Sequence, residues 1–229
     1  MIKSNKPLII WDFDGVIADS EKLWVRVWRN VLKKEKGIVL TKKQELEWLM
    51  GVADRTKKHN IQKHFPDAQL DTEFMQKITA GEIYIGSRLM RPMPGVQKVL
   101  ADTHFLPCIA TGATKEQQLW KISLFPWLKQ YVPIKHFFTV DMVKHGKPAP
   151  DIFLLALKKM GYKADNAVVI EDSLNGMEAA KAAGIRCIAF VGSKGNNTPS
   201  YRKKCLDLGV VNVCNTMSKL HKFLYQIFE

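Results

Sequence analysis

Leu8-Ile9-Ile10-Trp11-Asp12-Phe13-Asp14-Gly15-Val16-Ile17-Ala18-Asp19-Ser20 is the stretch on which the fold turns: an apolar run that ends abruptly in two acids and a glycine. Leu8–Trp11 reads as a strand buried on both faces. Side chains alternate along an extended chain, so Asp12 and Asp14 point to one side and Phe13 to the other. Two adjacent carboxylates repel, and burying them without a cation is costly; ligation of a hard divalent ion such as Mg²⁺ resolves the conflict. Gly15 lets the chain turn away without placing a side chain in the site. Taken alone, D-x-D also fits a solvated turn or a sugar-nucleotide metal site, so the rest of the chain decides.

The same junction of apolar run and polar residues recurs at Leu106–Ala110, Ala167–Ile170 and Cys187–Val191, and Val210–Val213 adds a candidate edge strand. Helical patterns over Val96–Asp102, Lys115–Leu124, Ile152–Met160 and Leu174–Ala183 separate these runs, and Met217–Phe228 reads as a closing helix. Strand alternating with helix implies βαβ units and a parallel sheet. Gly192–Ser200 reads as a surface loop.

Between Ser20 and Arg91 no strand pattern is found. Apolar residues there recur at helical spacing, as in Leu23, Val27 and Val31 and again in Phe74, Ile78, Ile85 and Leu89. This is the signature of an all-helical insertion, closed by Arg91-Pro92-Met93-Pro94-Gly95. The expected organisation is a core domain of residues 1–19 and 93–229 with a helical domain of residues 20–92.

Three further segments carry candidate chemistry. Thr111-Gly112 follows the second strand, where a hydroxyl and a backbone N–H at a helix entrance suit a phosphate oxygen, though an ordinary helix cap explains them equally. In Gly146-Lys147-Pro148-Ala149-Pro150-Asp151 a lysine between glycine and proline has a restricted backbone, suited to a fixed ammonium among acids or phosphate oxygens. Glu171-Asp172-Ser173 places a second acidic pair at a strand end. In open α/β sheets ligands bind outside the carboxyl ends of the strands, so all four segments are expected to converge on one crevice.

The chain has 229 residues, ordinary globular composition with 46% hydrophobic and 25% charged residues, and a formal net charge of +13. Global disorder and a stapled mini-protein are excluded, and anionic partners are favoured. The helical insertion holds 15 Lys and Arg against 9 acids, so it is the more basic region per residue. Cys108, Cys187, Cys205 and Cys214 form no C-x-x-C pair, and the N-terminal apolar run is cut by Asp12 and Asp14 before it makes a signal core. Reduced thiols, a cytoplasmic location, no membrane contact and a monomer are expected.

In this order the four segments resemble the motifs of the haloacid dehalogenase-like superfamily. They are Asp-Phe-Asp-Gly-Val-Ile-Ala-Asp-Ser, Ala-Thr-Gly, Gly-Lys-Pro-Ala-Pro-Asp-Ile-Phe and Ile-Glu-Asp-Ser-Leu-Asn-Gly-Met-Glu-Ala-Ala. The helical insertion directly after the first motif resembles the C1 cap of the β-phosphoglucomutase-like branch. The resemblance implies a Rossmann-like α/β core with an inserted helical cap. It also implies a Mg²⁺-dependent phosphatase acting on a small phosphate ester such as a sugar phosphate or phosphoglycolate. By the same resemblance Asp12 is the nucleophile, and Asp14 is the acid/base that also offers its backbone carbonyl to the metal. Asp172 is a further metal ligand, with Glu171 binding the metal directly or through a water, Thr111 and the N–H of Gly112 hold the phosphoryl group, and Lys147 neutralises charge between nucleophile and phosphate.

Mutases of that branch share Gly51-Val52-Ala53 but place an arginine where Asp54 stands, a cap lysine at Ala80 and a hinge histidine at Trp24. Hydrolysis is therefore expected over phosphomutation. Arg55, one residue beyond Asp54, is the candidate cap contact to substrate, against the alternative that Arg55, Lys57 and Lys58 form a solvated helix face. A basic module binding nucleic acid or an acidic surface is the non-enzyme alternative, but the lysines and arginines fall in dispersed short clusters.

Overall fold

The computed structural model describes residues 6–193 and 197–229, so residues 1–5 of the N-terminal stretch and 194–196 of the expected surface loop lie outside the described residues. The chain forms two compact units, Met1–Ala18 with Pro92–Glu229, and Asp19–Arg91.

The first unit is built on a parallel sheet of β1 (Leu8–Trp11), β2 (Leu106–Ala110), β3 (Phe137–Phe138), β4 (Ala167–Glu171), β5 (Arg186–Phe190) and β6 (Asn212–Cys214), in the order β3-β2-β1-β4-β5-β6. Every side chain of β1 and β4 is buried, as continuous apolar runs require when both faces of a sheet are covered. Ile10 stands level with Cys108 of β2 and Val169 of β4. The chain builds outward from β1 through β2 to β3, then returns to β4 on the other side of β1. That reversal is the topological switch point at which such sheets bind ligands.

The second unit is helical: α1 (Glu21–Lys36), α2 (Lys42–Gln44) running into a π-helical turn at Glu45–Leu49, α3 (Asp54–His64) and α4 (Thr72–Leu89). Its core gathers Trp28, Leu32, Leu49, Ile61, Phe74 and Ile78. Fully burying a large apolar side chain contributes about 1.5–3 kcal/mol, so this core supplies most of what holds the four helices together. Trp28 meets Phe74 edge-on at 5.9 Å between ring centroids.

Around the sheet lie α5 (Val96–Leu100), α6 (Lys115–Leu124), α7 (Leu128–Tyr131), α8 (Asp151–Met160), α9 (Leu174–Ala182), α10 (Pro199–Asp207) and α11 (Met217–Phe228). Two readings change. The surface loop expected to run to Ser200 ends at Thr198, whose hydroxyl accepts from Tyr201 N at 3.2 Å and caps α10, with Pro199 in its first turn. The edge strand is Asn212–Cys214 rather than Val210–Val213, set by pairing with β5 from Ile188 to Phe190. All four cysteines are buried free thiols, and no helix among the described residues is long and apolar enough to cross a membrane.

Candidate active site

β1 delivers Asp12 to the carboxyl edge of the sheet, where its N–H still bonds Ile170 O at 2.9 Å and so extends the β1–β4 ladder by one residue. The chain then folds into a tight turn: Ala18 N and Ile17 N both donate to Phe13 O, and Gly15 N donates to Ala18 O at 2.8 Å. Gly15 adopts φ +74°, and a Cβ there would lie 1.9 Å from Asp172 Oδ2. Glycine is therefore required twice over, by the backbone and by the carboxylate packed against it.

β4 ends in Glu171, and Asp172 follows. Glu171 Oε1 accepts from Ser173 N at 3.0 Å and Ser173 Oγ at 2.8 Å, and its carboxylate packs where a Cβ on Gly176 would come within 2.0–2.5 Å. Tyr201 of α10 donates its hydroxyl to Asp172 O at 2.5 Å and steadies the backbone there. Lys147 reaches in from the segment before α8. Its Nζ lies 2.7 Å from Asp12 Oδ1, 2.7 Å from Glu171 Oε2 and 3.1 Å from Ala110 O. Thr111 is buried after β2, and its Oγ1 accepts from Ala113 N at 3.2 Å; Gly112 is exposed beside it. Thr114 then caps α6.

Among the described residues, ligand atoms of Asp12, Glu171 and Asp172 lie within 4.8 Å of one another, and all three residues are buried. Burial and the repulsion of Glu171 push the Asp12 carboxyl up to about 8 despite the pull of Lys147. Burial opposes the charge on Lys147, but Asp12 and Glu171 outweigh it and raise its affinity for the proton. With Asp14 included, four carboxylates face two lysines, Lys147 and Lys121, whose ammonium donates to Asp14 Oδ2. Fully ionised, the four carboxylates would outnumber the two ammonium groups by two; that excess, with an all-oxygen donor set and the close seat of Asp172 against Gly15, fits a hard divalent cation. Lys121 and Tyr201 are absent from the sequence reading of this site. Arg55 is exposed on α3 of the helical unit, while its neighbour Lys57 is buried, so these residues do not form one solvated face.

Residues 9–190 match the haloacid dehalogenase-like hydrolase family. The chain belongs to that family. A phosphorylated carbohydrates phosphatase of Thermotoga maritima is 30% identical over 183 residues, covering 79% of this chain and 82% of the relative. The structure of a haloacid dehalogenase-like protein of unknown function from Agrobacterium tumefaciens superposes with TM-score 0.84 at 26% identity, covering 98% of this chain and 100% of that one. A Thermotoga maritima protein described as a β-phosphoglucomutase superposes with TM-score 0.73 at 26% identity, over 96% and 99%. These likenesses identify a haloacid dehalogenase-like hydrolase of the β-phosphoglucomutase-like branch, and with it an enzyme rather than a basic binding module.

Proposed function

We propose that this hydrolase is a Mg²⁺-dependent phosphatase of small phosphorylated metabolites of the carbohydrate class, working through an aspartyl-phosphate on Asp12. The observation that carries the reading is Asp12 itself, buried at the switch point with Lys147 at 2.7 Å and two further carboxylates beside it. The activity named for the Thermotoga maritima relative supports the substrate class.

A carboxylate is a weak nucleophile toward a phosphate dianion until the repulsion between them is lowered. Asp12, Asp172 and Glu171, with the backbone carbonyl of Asp14, would hold the cation, which supplies positive charge to offset that repulsion. Lys147 adds a fixed ammonium beside the attacking carboxylate, and Thr111 with the N–H of Gly112 holds the transferring phosphoryl group. Asp12 attacks phosphorus and the bond to the leaving alcohol breaks, while Asp14 protonates the departing oxygen. Asp14 then takes a proton from water, which attacks phosphorus, breaks the bond to Asp12 and releases phosphate with the Asp12 carboxylate restored. The helical region 20–92 is the proposed cap, and Arg55 its candidate substrate residue.

Assaying phosphate release across a panel of sugar phosphates and other phosphate esters, with Mg²⁺ and with a chelator, tests the reading. Release with Mg²⁺ that is abolished by the chelator and by Asp12→Asn is the expected result. No release from any ester sinks it, and sugar-phosphate isomerisation outrunning release points instead to a mutase.

A further inference from the structure

Lys121 breaks the pattern of its own helix. In α6 the buried positions are Gln118, Lys121 and Ile122, spaced to share one face, while Leu119 is 43% exposed. A helix placed only for packing would bury the leucine and expose the lysine; here Lys121 is 7% exposed. Such inversions of local pattern against burial are expected at functional sites. The buried ammonium donates to Asp14 Oδ2 and lies 5.7 Å from the centre of the Phe13 ring.

We propose that Lys121 is a positioning residue that fixes the side chain of Asp14 for proton transfer at the leaving-group oxygen, an inference that rests on the acid/base role given to Asp14 above. The physical need is plain. Asp14 sits in a turn, its side chain 21% exposed, while the Lys121 side chain is 8% exposed and anchored in a helix. An ion pair in such surroundings is stronger than in water and restricts the carboxylate to one orientation. Misplacing a reacting group by about 1 Å costs on the order of 10²-fold in rate. Lys121 and Lys147 thus divide the work: Lys147 serves the nucleophile and Lys121 the proton carrier.

Leaving groups provide the test. An alkyl alcohol leaves poorly without a proton, whereas p-nitrophenolate leaves readily. In Lys121→Met, which keeps a long unbranched side chain, kcat/KM, which reads only the steps through departure of the alcohol and not the later hydrolysis at Asp12, should fall about 10- to 100-fold on an alkyl sugar phosphate but by less than about threefold on p-nitrophenyl phosphate. Lys121→Arg should recover part of the loss. Added to Asp14→Asn, Lys121→Met should cost nothing further, because its effect passes through Asp14. Equal losses of kcat/KM on both substrates, or full additivity with Asp14→Asn, would overturn the proposal. A crystal structure of Lys121→Met gives a readout free of turnover: an Asp14 side chain unmoved and equally ordered also overturns it. Absence of phosphatase activity in the unmodified enzyme would instead count against the parent reading.

Discussion

Two lysines set among acids, one in each unit, are held by opposite arrangements of charge. Lys147 in the α/β unit meets two buried carboxylates at 2.7 Å, with a third acid, Asp172, in the same cluster. Lys57 in the helical unit lies 2.9 Å from the single carboxylate of Asp54, whose oxygen also accepts from Trp28 Nε1 at 3.1 Å. Burial opposes the charge on Lys57, but Asp54 and the field of Glu21 overcome it and raise its proton affinity. Around Lys147 the acids outnumber the ammonium group; around Lys57 one direct pair lies within α3, and the same Asp54 accepts from Trp28 to tie α3 to α1. Burying a net charge is costly and survives where chemistry uses it, whereas a matched pair needs only a structural reason.

Replacing each lysine separates the two cases. Lys147→Met should lower turnover about 10³-fold, since it removes a fixed positive charge from beside the reacting phosphate; steady-state kinetics on any accepted substrate measures it, and a loss under tenfold would erase the contrast. Lys57→Met should instead show itself as stability, about 1–3 kcal/mol less in urea unfolding, because Asp54 loses its charged partner while remaining partly open to water. Unchanged stability with lost turnover would move Lys57 into the same class as Lys147.

A third ionic cluster, in the α/β unit, sharpens the point by inverting the count. Asp102, after α5, has its Oδ2 2.6 Å from both Tyr225 Oη and His221 Nε2 of α11, and its Oδ1 accepts from His104 N at 2.9 Å. Partial burial works against its charge, but these donors prevail and hold the carboxyl well below its ordinary value of 3.8. A depressed carboxyl stabilises the fold above the unfolded value, and that contribution fades as pH falls through the folded one. Asp102→Asn should therefore cost about 1 kcal/mol at pH 7 and progressively less below the ordinary carboxylate range, read from urea unfolding at several pH values. A cost independent of pH would show that the carboxylate charge has no part in it.

The strand ends and their acids are legible along the chain because each is a local pattern: Leu8–Trp11 with Asp12, Ala167–Ile170 with Glu171 and Asp172, and Thr111 with the capped start of α6. The two-residue strand β3 is not, since Phe137 and Phe138 have no run of their own and owe their conformation to pairing with Ile109 and Ala110. Nor is α10, where Thr198 and Pro199 look like loop residues until the turn they cap is seen.

Order along the chain, residue chemistry and apolar period were enough to specify an open parallel sheet with acids at its rim, because those features act through neighbours a few residues apart. Which of 35 lysines and arginines are buried, and against what, was decided only by the folded chain. Lys121 meets Asp14 across 107 residues, and Lys147 meets Asp12 across 135. The pairing of charges depends on distance and dielectric in three dimensions, and neither quantity is written in the spacing of residues.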